Sequence, residues 1–160
     1  MDCIISPGRM EYLKGKKPEG CIFCADSIRN ENLVMCERKS CYVIMNKYPY
    51  ASGHLLVVPF RHIGDIGDMN HNEKGEMMDL MELSVKILKK ALQPQGFNIG
   101  MNLGTAGGAG VDSHIHLHIV PRWIGDTNYA TVVGETRFIP EGIDETREVL
   151  KPYFQNIEEV

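Results

Sequence analysis

The chain has 160 residues, 43% of them hydrophobic and 24% charged, with a formal net charge of -4; this is the material of one ordinary domain with a core. That balance excludes a general nucleic-acid or membrane surface, because both need clustered basic charge, so any phosphate chemistry must be local. No apolar run reaches the ~18 residues of a membrane helix, and MDCIISPGRMEYLKGKK lacks the apolar stretch of a secretory signal, so the expected setting is cytoplasmic.

Residues 1–20 read as an irregular arm rich in Gly, Lys and Pro. Cysteines stand at Cys3, Cys21, Cys24, Cys36 and Cys41, an odd number that argues against a disulfide framework in a reducing compartment. Cys21-x-x-Cys24 has the spacing of half a zinc site, with two ordinary thiols as the other reading. CYVIMN (41–46) and HLLVVP (54–59) are β-prone runs joined by the turn formers KYPYASG, which predicts antiparallel neighbours.

Residues 71–92 predict a helix. Asn70 caps it and Glu73 completes a capping box. Met77, Leu80, Met81, Ser84, Val85, Leu88, Ala91 and Leu92 recur at helical spacing and form its core-facing stripe. Gln93-Pro94-Gln95-Gly96 ends it. FNIGMN (97–102) reads as a strand, TAGGAG (105–110) as a loop, and HIHLHIVP (114–121) as the next strand. Asp144 is placed to cap a short C-terminal helix that Pro152 should kink or end. With no internal repeat and no domain boundary, the order predicts one α+β domain built on an antiparallel sheet.

The chemistry concentrates at His114-Ile115-His116-Leu117-His118. Alternate strand residues face opposite ways, so the three histidines share one face and Ile115, Leu117 and Ile119 the other. The imidazoles can hold a catalytic metal, or one can act as a nucleophile while its neighbours donate hydrogen bonds. The loop Gly104-Thr105-Ala106-Gly107-Gly108-Ala109-Gly110 lies just upstream. Such a loop lets backbone N–H groups approach phosphate oxygens, which tilts the site towards phosphate chemistry. His54 follows a turn and is expected to support the site by hydrogen bonding; His71 is expected at the surface.

HIHLHIVPRW resembles the signature of the histidine triad (HIT) superfamily, His-φ-His-φ-His-φ-φ with φ apolar. The resemblance covers roughly residues 9–130 and includes Cys21-x-x-Cys24, Asn46, Gly53-His54-Leu55, Val58-Pro59, Arg61-His62 and Asn102. NKYPYASGHLLVVPFRH with HIHLHIVPRWIGDTNY looks closest to the Fhit-like branch, and within it to the bacterial diadenosine tetraphosphate phosphorylases; Arg9-Met10-Glu11-Tyr12-Leu13 is similar to an N-terminal motif of that group.

The resemblance implies a single HIT domain over 1–160, with an arm at 1–20 and an extension at 130–160. It also implies about five antiparallel strands, a long helix, a short C-terminal helix and a homodimer. His116 matches the nucleophile that takes the nucleotidyl group. His118 matches a donor to phosphate oxygens near the scissile bond, Asn46 a ribose contact, and Asn102 a phosphate-holding position. Gly107, Gly108, Gly110 and Ser113 fall in the expected phosphate-binding stretch. Many relatives carry Gln or Ser a few residues before the triad; this chain reads GGAGVDSH, without that Gln, so the amides of residues 107–111 are expected to take part of that role. Arg9, Arg122 and Asn128 are further candidate helpers.

In zinc-bearing members two cysteines join two histidines, which here implies structural zinc on Cys21, Cys24, His62 and His114. That use of His114 weakens the reading in which all three histidines bind a catalytic metal. The expected activity is phosphorolysis of dinucleoside polyphosphates, with inorganic phosphate as second nucleophile. The alternatives are hydrolysis of dinucleoside polyphosphates or nucleoside phosphoramidates, and a non-catalytic nucleotide-binding module.

Overall fold

The hairpin anticipated between residues 41 and 59 forms the middle of the sheet in the computed structural model. Described residues are 20–24, 32–126, 139 and 141–157. The rest of the arm, with Cys3 and the Arg9–Leu13 motif, lies outside them, as do Asn128 and much of the 130–160 extension. The elements in chain order are β1 (Val34–Glu37), β2 (Cys41–Met45), β3 (Leu55–Pro59), α1 (His71–Leu92), β4 (Gly96–Gly100), β5 (Leu117–Arg122) and α2 (Ile143–Gln155). The five strands lie in the order β1-β2-β3-β5-β4. Every neighbouring pair is antiparallel.

Both faces of β2 and β3 are covered. Cys41, Val43 and Met45 of β2 and Leu55 and Val57 of β3 join Met77, Leu80, Ile87 and Leu88 of α1 and Leu150 and Phe154 of α2 in one core. Tyr42, Ile44, Leu56 and Val58 join Phe23 in a smaller cluster on the other face. Each large apolar side chain buried in this way contributes about 1.5–3 kcal/mol.

The long helix begins as expected, with Asn70 and Glu73 forming a reciprocal capping box. Its stripe differs in detail. Ile87, absent from the expected set, is fully buried, and Ser84 is buried with no partner for its hydroxyl among the described residues. Glu73 does more than cap: Arg61 Nε and Nη2 each donate to its carboxylate at 2.9 Å. That guanidinium holds the Glu73 carboxyl below the usual carboxylate range and pins the end of β3 to the start of α1.

Four points differ from what the sequence suggests. β1 was not foreseen: it has four residues, and its register shifts between Val34 and Cys36, so no clean alternation marks it. The C-terminal helix starts after Gly142, which makes no side-chain cap, and Asp144 falls inside its first turn. Pro152 lies within that helix, which runs on to Gln155. The strand expected at 97–102 occupies 96–100, which leaves Asn102 beyond its end.

The turn between β2 and β3 is fixed by Gly53. Its φ is +76°, and a Cβ there would stand 2.5 Å from Leu92 Cδ1 and 3.1 Å from Leu88 Cδ2. The turn therefore packs directly on the end of α1. Gly53→Ala should combine left-handed strain with a displaced leucine and destabilise the protein by about 1–3 kcal/mol. A lower urea midpoint at unchanged slope would register this; an unchanged midpoint would refute it.

Candidate functional site

The histidine row is held in two different ways. The β5 ladder begins at Leu117, so His118 lies in the sheet, opposite Leu56 of β3 and Gly100 of β4. Residues 114–116, expected as strand, precede the ladder. They are held by Ile115 N–H donating to Ile63 O at 2.6 Å. The two segments come so close that a Cβ on Gly64 would stand 2.8 Å from Asp112 O. That approach brings the rings of His62 and His114 edge to face at 5.1 Å. The alternation holds across both parts: Ile115, Leu117 and Ile119 enter the α1-side core. On the opposite face His116 and His118 meet at 4.8 Å between ring centres.

Main-chain groups decide where the protons sit, because a carbonyl can only accept and an N–H can only donate. His116 Nδ1 lies 2.9 Å from His114 O and so donates to it; in the neutral ring Nε2 is a bare lone pair. Tyr50 N–H donates to His54 Nδ1 at 3.1 Å, which puts the His54 proton on Nε2. That nitrogen donates to His118 Nδ1 at 3.0 Å. Neutral His118 then carries its proton on Nε2, a buried atom with no partner among the described residues. Burial lowers the proton affinity of all three triad rings, and for His118 burial, followed by the neighbouring His116, pushes the pKa down to about 4. A neutral ring with a bare lone pair thus sits beside a neutral donor. A solvated polar face does not fit side chains as buried as His114 and His116.

His54 supports the row as expected. Tyr50 was not foreseen: its ring stacks on His118 at 5.9 Å and 19°. Asn46 ends β2 beside them, with its amide nitrogen 3.3 Å from His54 Nδ1 and its oxygen accepting from Tyr48 N–H. Gly100, the last residue of β4, is paired with His118, and Asn102 follows it two residues on. Asn102 Nδ2 donates to Gly108 O at 3.3 Å and ties down the glycine loop. Within that loop the amides of Gly107, Gly108 and Ala109 donate to Gly104 and Thr105 carbonyls. Those of Gly110 and Val111 lie outside this turn, and Ser113 is exposed. Arg122 is committed elsewhere: it makes two bonds to Asp126, at 2.6 and 2.7 Å, and one to Asn98. It also stands four residues beyond His118, about 13 Å along the strand.

Cys21, Cys24, His62 and His114 each present one ligand atom, all within 4.8 Å of one another. Cys21 Sγ is 3.2 Å from His114 Nδ1, and Cys24 Sγ is 3.3 Å from His62 Nδ1. His114 Nε2 donates to Pro59 O at 2.9 Å, which leaves Nδ1 as the free lone pair facing the thiols. Two sulfurs, two imidazoles and an outer hydrogen bond that orients one ring are the donor set of a closed tetrahedral metal site. The four residues can hold a metal ion. Cys36 and Cys41 take no part; burial raises their pKa to about 11 and about 12 and keeps them as thiols.

Comparison with known proteins agrees with this arrangement. The HIT domain matches residues 28–123. The AP-4-A phosphorylase of Mycobacterium tuberculosis is 40% identical over 120 residues, which are 75% of this chain and 62% of that enzyme. The chain thus spans about three fifths of the length of that relative. A zinc-bound histidine triad family protein from Mycobacterium smegmatis superposes with a TM-score of 0.71 at 27% identity, over 87% of this chain and 96% of the other. A hypothetical histidine triad nucleotide-binding protein from Sulfolobus tokodaii gives 0.68 at 28% identity, over 87% and 93%. Together with the alternating histidine row on its five-stranded antiparallel sheet, these matches show that the chain belongs to the HIT family.

Proposed function

We propose that this protein is a phosphorylase of dinucleoside polyphosphates, with diadenosine tetraphosphate as the model substrate. The observation that carries this is the pairing of a bare His116 Nε2 with the unpartnered, buried Nε2–H of His118. His116 Nε2 attacks the α-phosphorus and forms a nucleotidyl-histidine, and the bond to the departing nucleoside polyphosphate breaks. His118 donates to the phosphate oxygens beside the scissile bond, where negative charge develops. Inorganic phosphate then attacks the same phosphorus and frees His116, so diadenosine tetraphosphate gives ATP in the first step and ADP in the second. Asn46 takes the ribose. Asn102 shapes the loop that receives the phosphates, with Gly107, Gly108, Gly110 and Ser113 along its rim. The AP-4-A phosphorylase relative supports this choice.

The metal in this reading is zinc, with a structural role, held by Cys21, Cys24, His62 and His114. A reducing, cytoplasmic setting keeps the two cysteines available to it. We further assign a homodimer formed through β4 and α1. β4 is an edge of the sheet, and Ile99, Leu103 and Met78 expose large apolar side chains at 44%, 47% and 53%.

His116→Asn should keep the fold and nucleotide affinity and lose roughly 10³-fold or more in turnover; His118→Asn should lose less, roughly 10²-fold. Product analysis with and without phosphate tests the reaction. ADP and ATP that appear only when phosphate is added support phosphorolysis, and rapid phosphate-independent AMP would make the protein a hydrolase. Freshly purified protein should contain about one zinc per chain, and light scattering should give twice the chain mass; zinc-free protein or a clean monomer would overturn the respective assignment.

The neutrality of His118 also has a readable sign. Its folded pKa of about 4 lies below the ordinary 6.5, so between those values the unfolded chain binds the extra proton. Stability should therefore fall as pH is lowered from about 6.5 to about 4. His118→Asn should flatten that part of the profile of urea midpoint against pH, whereas parallel profiles for the two proteins would show that His118 is not the group responsible.

A further inference from the structure

The segment that carries two of the four metal-site residues also reaches the nucleophile. Phe23 stands between Cys21 and Cys24 and is 7% exposed. Its ring lies 4.8 Å from the His116 ring, tilted by 41°, and 5.8 Å from that of His114, edge to face. Tyr42 OH donates to Phe23 O at 2.7 Å, which clamps the turn to β2. Cys24 N–H closes the turn on Cys21 O at 3.2 Å. His114 is the second link: one residue supplies Nδ1 to the cluster and its main-chain oxygen to His116 Nδ1–H.

From these contacts we infer that the metal cluster acts as a positioning device for His116, through Phe23 and the His114 carbonyl, in addition to bracing the fold. The inference rests on the reading of His116 as the nucleophile. Its physical basis is short. His114–His116 has no ladder partner until Leu117, so the peptide unit that carries the His114 carbonyl is held outside the sheet, by the single bond of Ile115 N–H to Ile63 O. A ligated His114 cannot rotate without breaking its metal bond. The Phe23 ring packs against the His116 ring at 4.8 Å and limits the room it has to turn. Loss of metal removes one tie from each element, leaving Phe23 on Tyr42 OH and the His114 peptide on Ile63 O alone, and His116 then exchanges more readily between tautomers and orientations. Misplacement of a reacting atom by about 1 Å is enough to cost roughly 10²-fold in rate.

The ring nitrogens of His116 in isotopically labelled protein report this without any substrate. Zinc-loaded wild type should show a single Nδ1–H tautomer. After chelation, with circular dichroism confirming the fold, the two nitrogen shifts should move towards each other. Phe23→Ala should retain zinc and fold, show the same averaging in part, and lose turnover roughly tenfold or more, with nucleotide affinity changed less than turnover. Phe23→Leu, which refills most of the space, should recover most of the loss. Chelated, folded protein that keeps the single tautomer would overturn the proposal, as would zinc-loaded Phe23→Ala with wild-type turnover. Where chelation unfolds the protein, the two Phe23 variants decide the matter. Full activity of His116→Asn would remove the catalytic reading instead, while the tautomer measurement would still stand on its own.

Discussion

Three imidazoles of this site, those of His54, His114 and His116, each have one nitrogen against a main-chain group that leaves the proton no choice, and His54 passes that order on to His118. Pro59 O takes the His114 proton, His114 O takes that of His116, and Tyr50 N–H forbids one on His54 Nδ1. A neutral imidazole is otherwise free to exchange tautomers. Here the backbone orders the protons in advance, and burial keeps the rings uncharged. Without that ordering the row would contain the same residues with no defined acceptor or donor facing a ligand.

The remaining structure can be understood as holding those main-chain groups still. The β2–β3 turn, seated on α1 through Gly53, delivers Tyr50 N–H and His54. The end of β3 delivers Pro59 O, and the bidentate bond of Arg61 to Glu73 fixes that strand to the capped start of α1. His62 follows Arg61 directly, so the helix cap also sets one side of the metal cluster. The apolar half of the row anchors the other half: Ile115, Leu117 and Ile119 are locked in the core, and alternation sends the histidines the opposite way.

Much of this was legible because periodicity and capping are local. The Asn70–Glu73 box and the 71–92 helix, the 41–59 hairpin and the shared face of the histidines all follow from spacing within a few residues. The resemblance to HIT proteins brought Cys21, Cys24, His62 and His114 together, which spacing alone leaves as half a site. The contacts that were not legible are those across long sequence separations. Phe23 on His116, Tyr50 over His118, Pro59 O on His114 and the approach of residue 64 to 112 leave no mark in any window of the chain. Arg122 is bound to Asp126, four residues on, and to Asn98 of β4, and only the second of these partners lies outside a local window. β1 escaped because a bulge breaks its alternation.

The late start of the β5 ladder has a dynamic consequence. Stability within a protein is uneven, and segments with few backbone pairings open at a fraction of the cost of global unfolding. His116 lies in such a segment, stitched to the 62–64 loop by Ile115 N–H while its neighbour His118 belongs to the sheet. A ligand that binds only the closed form raises the cost of opening in proportion to the logarithm of its concentration. With a metal ion on the four ligands, opening of the first half of the triad would depend on free metal concentration as well as on the core that Ile115 shares with the sheet.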